Sequence, residues 1–110
     1  MERFVKGDIV VVLFPFTDLS NAKRRPALVI NNLKNDDLIL CQITSRLKTD
    51  GYSVGFSESN FEAGSLKKTS YIRPNRLFTI HRNAILYKVA QLKTEKVNEV
   101  IDKIVSIMKS

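Results

Sequence analysis

A mainly β fold closed by one C-terminal helix is what this sequence predicts, and three features predict it. Short runs rich in Val, Ile, Phe and Tyr recur along the first ninety or so residues, separated by Asn, Asp, Gly, Ser and Pro. Several of these runs alternate apolar and polar residues. After Thr94 the period changes, and the apolar residues fall at Val97, Val100, Ile101, Ile104, Val105 and Met108, which is one helical stripe.

The elements follow in order. "DIVVVLF", Asp8 to Phe14, is apolar from Ile9 on and β-branched through Val12, as a buried strand is. "RPALVINN" reads as a strand entered from Pro26, where the missing N–H does least harm, and it ends in two turn-forming asparagines. Asn35, Asp36 and Asp37 read as a hairpin turn. "LILCQITSR" is the next strand, with Ile39, Cys41 and Ile43 set against Leu40, Gln42 and Thr44. "YSVGF" alternates at Tyr52, Val54 and Phe56. "SYIRPNRLFTI" is strand-like, but Pro74 requires an edge or a bulge. "AILYKVA" is a last short strand. Thr94 is the expected N-cap of the helix, with Glu95 in the first turn and Lys109 in the last, as the helix dipole favours. Six strands and a helix in 110 residues predict a small, strongly curved sheet or barrel, and residues 1–110 read as a single domain.

Composition narrows the function. Apolar residues make up 44% of the chain and charged ones 26%, an ordinary globular balance. The single cysteine, Cys41, rules out a disulfide scaffold, no run approaches a membrane span, and "MERFVKGD" has no signal-peptide core. These features predict a cytoplasmic protein without a membrane role. The net charge is +7 and the pI about 9.8. From Ala63 to Thr94 there is no acid, while Lys67, Lys68, Arg73, Arg76, Arg82, Lys88 and Lys93 lie there. A surface of this kind attracts phosphate, acidic proteins or anionic lipid; the plainer reading is solvated strand faces.

Most catalytic constellations are missing. There is no glycine-rich phosphate loop, no nucleophile elbow and no metal-ligand spacing, so no metal and no cofactor is expected. His81 is the only histidine, and Cys41 sits in an apolar strand where a thiolate is costly. Arginines, hydroxyls and amides remain. They suffice for cleaving RNA, which carries its own nucleophile in the 2′-hydroxyl, provided fixed donors stabilise the charge gathering on phosphorus. In "FPFTDLSNAKRRPALVI", Arg25 is the leading candidate, because Pro26 stiffens the backbone beside it. Thr44, at the polar end of its strand, could face the same point if the two strands are neighbours.

At these residues the chain resembles the MazF/PemK family of type II toxin–antitoxin endoribonucleases. The resemblance is carried by "KGDIVVVLFPFTDLSNAKRRPALVI", "CQITSR", "AGSLKKTSYIRPNRLFTIHRNAI" and the terminal helix, in that order. It implies an SH3-like small barrel of the MazF/PemK/CcdB type, and a homodimer. It also implies metal-independent cleavage of single-stranded RNA at a short sequence, leaving a 2′,3′-cyclic phosphate and a 5′-hydroxyl. Arg25 and Thr44 match the family's catalytic arginine and threonine. The Tyr71–Asn75 segment matches a strand that supplies further site residues, with Arg73 matching an arginine there. Asn75 departs from the pattern, since some members have an acid at that position, and His81 stands where members commonly have Asp; His81 reads as a partly exposed structural residue. The implied partner is an antitoxin with an acidic, partly disordered segment.

With that resemblance, the RNA-binding candidates are Lys23, Arg24, Arg73, Asn75 and Arg76. Residues Thr17 to Arg25 would form a lid over an RNA groove, with Lys23 and Arg24 at its rim. Each candidate has a plainer alternative: a solvated loop for Lys23 and Arg24, an ion pair with Asp18 for Arg25, a backbone-bonded hydroxyl for Thr44. Phe14 and Phe16 read as core or dimer contacts. Two other functions fit the same chain, a same-fold toxin that inhibits a protein such as a topoisomerase, and a basic RNA-binding module without catalysis.

Overall fold

The computed structural model describes residues 3–14 and 23–110, with the backbone alone at Phe14. Strands β1 (Asp8–Phe14), β2 (Lys23–Asn32), β3 (Asp37–Thr44), β4 (Val54–Phe56), β5 (Phe61–Gly64), β6 (Ser70–His81) and β7 (Ile85–Leu92) precede helix α1 (Thr94–Lys109). The seven strands form one antiparallel sheet in the order β4-β6-β3-β2-β1-β7-β5, a half-barrel with the helix packed against β6.

The central strands bury side chains on both faces, which is why β1 reads as an unbroken apolar run. On one face Ile9, Leu28, Cys41 and Ile43 pack with Ile72 and with Val97 and Val100 of the helix. On the other, Val10, Val12, Ala27, Val29, Leu38 and Leu40 pack with Phe4 and Ile85, and with Phe78 and Ile80 of β6. Asp8 is fully buried, yet its carboxylate accepts from the Val5 N–H at 2.9 Å and the Gln91 amide at 3.1 Å, with the Lys88 ammonium 3.9 Å away. A buried carboxylate so surrounded ties the start of β1 to β7.

Several expectations are met and several corrected. The bulge expected at Pro74 is there: the β3–β6 register jumps from Cys41↔Leu77 to Gln42↔Arg73, so three residues, Pro74 to Arg76, have no partner on β3. The expected turn at Asn35–Asp37 is a short 3-10 turn over Lys34–Asp36, with Asn35 and Asp36 at positive φ, and Asp37 already belongs to β3. Pro26 does not open its strand; β2 starts three residues earlier, and Lys23, Arg24 and Arg25 are strand residues paired with β1.

The strand expected from Tyr52 begins at Val54. A seventh strand, β5, was not anticipated. It is four residues long and carries no clear alternation, and it exists by pairing with β7. Thr94 is not the N-cap: Lys93 holds that position without a side-chain cap, and its carbonyl accepts from Lys96 and Val97. Its own N–H donates to the Asn60 carbonyl at 2.8 Å. The N-cap therefore falls where β7 ends and where tertiary pairing holds the backbone, at Lys93, one residue before the hydroxyl of Thr94. Among the described residues, no helix is long and apolar enough to cross a membrane.

Candidate nucleic-acid interface

The site lies where the sheet splits. β2 keeps its pairing with β1 down to Phe14↔Lys23, but its last partner on β3 is the Ala27↔Gln42 pair, next to Pro26. β3 meanwhile continues to Thr44, paired with Tyr71 of β6. Continuing the β2–β3 register by two residues sets Arg25 opposite Thr44, each held by a different neighbour. Residues 25, 42 and 44 alternate in phase with the face that buries Ala27, Val29 and Leu40, so the polar site prolongs an apolar layer.

A cleft of about 840 Å³ occupies this end of the sheet. Its cationic wall is Lys23, Arg24, Arg25, Arg46, Lys48, Arg73 and Arg76; Gln42, Thr44, Ser45, Leu77 and Phe78 complete the lining, and no acid among the described residues lines it. A smaller cavity of about 380 Å³ shares Arg24, Arg25, Thr44 and Ser45 with it and continues past Lys67 and Lys68.

Arg25 is half-buried, and its Nε has no hydrogen-bond partner among the described residues. No ion pair to Arg25 occurs among them; Asp18, the expected alternative partner, lies outside the described residues. The Thr44 hydroxyl accepts from the Arg46 N–H at 3.2 Å. That is the backbone bond of the plainer reading, and it leaves the hydroxyl proton available to donate.

Arg73, paired with Gln42, sits one step along the same face from Thr44. Its Nη2 donates to Asp50 at 3.1 Å, and its Nε is buried without a partner among the described residues. The backbone N–H of Tyr52, and then the Arg73 guanidinium, hold the Asp50 carboxyl below the usual carboxylate range.

Of the residues singled out from sequence, Lys23, Arg24, Arg25, Thr44, Arg73 and Arg76 come together in one cleft. Asn75 does not line it. It stands exposed in the bulge beside Arg76. Sequence reasoning passed over Ser45, Arg46 and Lys48, although a polar, cationic run directly after Thr44 was a usable signal. It also passed over Gln42 and Phe78, which nothing local distinguishes from core strand residues. The expected lid from Thr17 falls mostly outside the described residues, as do Phe16 and the Phe14 side chain.

Cys41 is a core residue as expected. It is fully buried, its Sγ donates to the Arg73 carbonyl at 3.0 Å, and burial pushes its pKa up to about 12. His81 is exposed, and its Nδ1 accepts from the Asn83 N–H at 3.1 Å, capping a short 3-10 turn. Among the described residues, no three His, Cys, Asp or Glu come together as a metal ion requires.

In structure, MazF from Deinococcus radiodurans superposes with a TM-score of 0.79 at 21% identity over 100% of both chains. MazF from a MazE–MazF complex of the same organism gives 0.76 at 22% identity, over 96% of this chain and 95% of that one. An endoribonuclease from a mycobacterial species, solved with its cognate antitoxin, gives 0.74 at 15% identity over 97% and 96%. At such identities the likeness shows the fold. Among curated proteins none matches the chain in sequence. A family model described as PemK-like, MazF-like toxin of type II toxin-antitoxin system matches residues 5–108. The half-barrel, the split sheet end with its cationic cleft, and a family match over nearly the whole chain agree: the protein belongs to the PemK-like, MazF-like toxins of type II toxin-antitoxin systems.

Proposed function

We propose that this toxin is a metal-independent endoribonuclease that cuts single-stranded RNA at a short sequence and leaves a 2′,3′-cyclic phosphate and a 5′-hydroxyl. The observation that carries the reading is the Arg25 and Thr44 pair, opposite in register across the opened sheet end and walled by cations, with no acid on the wall among the described residues. The buried Nε of Arg25, which has no partner among the described residues, supports it. Such a donor costs about 1–3 kcal/mol when unsatisfied, and a phosphate oxygen would satisfy it.

In the reaction the 2′-oxygen of the substrate attacks the adjacent phosphorus and loses its proton. The bond to the 5′-oxygen breaks, and that oxygen gains a proton. Arg25 donates to a non-bridging oxygen as negative charge builds there, and the Thr44 hydroxyl donates a second bond. Lys23, Arg24, Arg73 and Arg76 hold neighbouring phosphates, with Asn75 reaching the strand from the exposed bulge. All catalytic donors in this scheme are side chains, and no metal takes part.

The toxin acts in the cytoplasm as a homodimer. Its partner is an antitoxin whose acidic, partly disordered segment folds into the same cleft. MazF from Deinococcus radiodurans and a mycobacterial endoribonuclease, both solved with antitoxin, share the fold and support this pairing.

A ribonuclease assay in excess EDTA, comparing the protein with Arg25→Ala, tests the reading. Cleavage by the unmodified protein and its loss in the variant are expected. An inactive unmodified protein that still binds RNA would mean a binding module, and one that does neither would point to a protein target. An Arg25→Ala protein that cleaves at the full rate would make Arg25 structural.

A further inference from the structure

Two arginines of the cleft, Arg25 and Arg73, are treated differently by the fold. Arg25 meets no acid among the described residues, whereas Arg73 is held at both ends. Its backbone is fixed by the β3 ladder and by the Cys41 thiol, which donates to its carbonyl at 3.0 Å. Its head is fixed by Asp50, at 3.1 Å from Nη2. The Arg73 side chain is only 11% exposed, while its partner Asp50 lies at the protein surface.

Asp50 is itself held. It lies in the segment joining β3 to β4, and its Oδ1 accepts from the Tyr52 N–H at 3.0 Å while Oδ2 takes Arg73. Each carboxylate oxygen therefore has one fixed donor. The same segment carries Ser45, Arg46 and Lys48 to the cleft wall. One ion pair thus orients a guanidinium on β6 and anchors the loop that supplies part of the opposite rim. An acid beside a phosphate site weakens anion binding by simple charge. Its place here makes sense if orientation gains more than attraction loses.

We propose that Asp50 is a positioning residue for RNA cleavage, fixing Arg73 and the 45–53 segment so that the arginine meets a phosphate already oriented. This rests on the ribonuclease reading above. With Nη2 committed to Asp50, Arg73 presents its guanidinium to the strand in a fixed orientation, and the scissile geometry is set before binding.

The test is a set of single-turnover cleavage rates and equilibrium affinities on a long single-stranded transcript of mixed sequence, in EDTA. The proteins compared are the unmodified chain, Asp50→Asn, Asp50→Glu, Arg73→Ala and the Asp50→Asn/Arg73→Ala double variant. Asp50→Asn keeps an oxygen for Tyr52 but can turn an N–H toward Arg73, releasing it. Its saturated rate should fall about tenfold to a hundredfold. Its RNA affinity should hold or rise, because a negative charge is gone. Asp50→Glu should recover part of the rate. In the Arg73→Ala background, Asp50→Asn should cost little more, since the pair acts as one unit.

An Asp50→Asn protein with unchanged saturated rate overturns the proposal and makes the pair a competitor for Arg73. An equal loss with and without Arg73 overturns it too, because Asp50 then acts elsewhere. Either result leaves the ribonuclease reading intact, whereas an unmodified protein that does not cleave, or an Arg25→Ala protein that cleaves at the full rate, removes that reading itself.

Discussion

At the scale of single residues, the cleft divides side chains by when their partner charge appears. Arg25 and Thr44 are assigned to charge that develops only in the transition state, so removing either should act on the chemical step. Thr44→Ala should cut the single-turnover rate by roughly a hundredfold while RNA affinity changes little. Lys23, exposed at the start of β2, is assigned to a phosphate that is equally charged before and during reaction. Lys23→Ala should therefore weaken affinity, more at low salt, and leave the saturated rate nearly intact. A Thr44→Ala protein with normal rate would mean that the Arg46 N–H is the hydroxyl's whole business.

Cys41 gives a second test at this scale. Its pKa is raised from 9.0 to about 12 by burial. Below pH 9 the thiol is protonated whether the chain is folded or unfolded. Between 9 and about 12 the unfolded chain gives up the proton first, so folding stability falls as pH rises through that window. Iodoacetamide at pH 8 should leave the native protein unlabelled and label it in denaturant. Rapid labelling of the native protein would contradict the burial.

Elements are decided here by a few backbone points. Gly64 closes β5 at φ +68, and a Cβ there would lie 2.3 Å from the Val89 carbonyl oxygen and 2.8 Å from the Ala90 Cα. Both are backbone atoms of the partner strand, so nothing nearby can rotate away. Gly51, at φ +82, has nothing within 4 Å. Gly64→Ala should cost on the order of 1–3 kcal/mol from the left-handed backbone, and more from the collision, while Gly51→Ala bears only the first. Urea midpoints of the two variants would show the difference, and equal midpoints would mean that β5 leaves the sheet edge without consequence. The bulge in β6 is the other such point. Pro74 lacks an N–H and is buried, and the three unpartnered residues it begins deliver Arg76 to the cleft while leaving Asn75 outside. The acid-to-amide departure at position 75 was legible as a change of residue. Its displacement from the cleft was not, because the length of a bulge depends on how two distant strands resume pairing.

At the scale of the whole molecule, charge sets how the protein would meet RNA and its antitoxin. A net charge of +7, with no acid on the cleft wall among the described residues, would make the proposed RNA binding a counterion-release process. With three phosphates held, affinity for a single strand should fall about tenfold or more between roughly 50 and 200 mM salt. A flat dependence would separate the charge from the binding. The same field should favour an acidic antitoxin segment, so the toxin purified with its antitoxin should lose RNA binding and cleavage together. A complex that cleaves as fast as the free toxin would place the antitoxin elsewhere.

Local pattern by itself determined six of the seven strands, the helix, the need for a bulge at Pro74, the core role of Cys41 and the cationic character of the surface. Those features depend on periodicity, propensity and composition, which neighbouring residues carry among themselves. Only the tertiary structure decided that β5 is a strand, that the helix starts at Thr94 after an uncapped Lys93, that Lys23 to Arg25 belong to a strand, and that Asp50 holds Arg73. It also decided the feature on which the proposed function turns. Arg25 and Thr44 lie on different strands, and their meeting depends on the β2–β3 register and on that ladder ending beside Pro26 while β1 and β6 hold the two strands on either side. Register is set by non-local hydrogen bonds and by packing on both faces at once, and no stretch of sequence contains it.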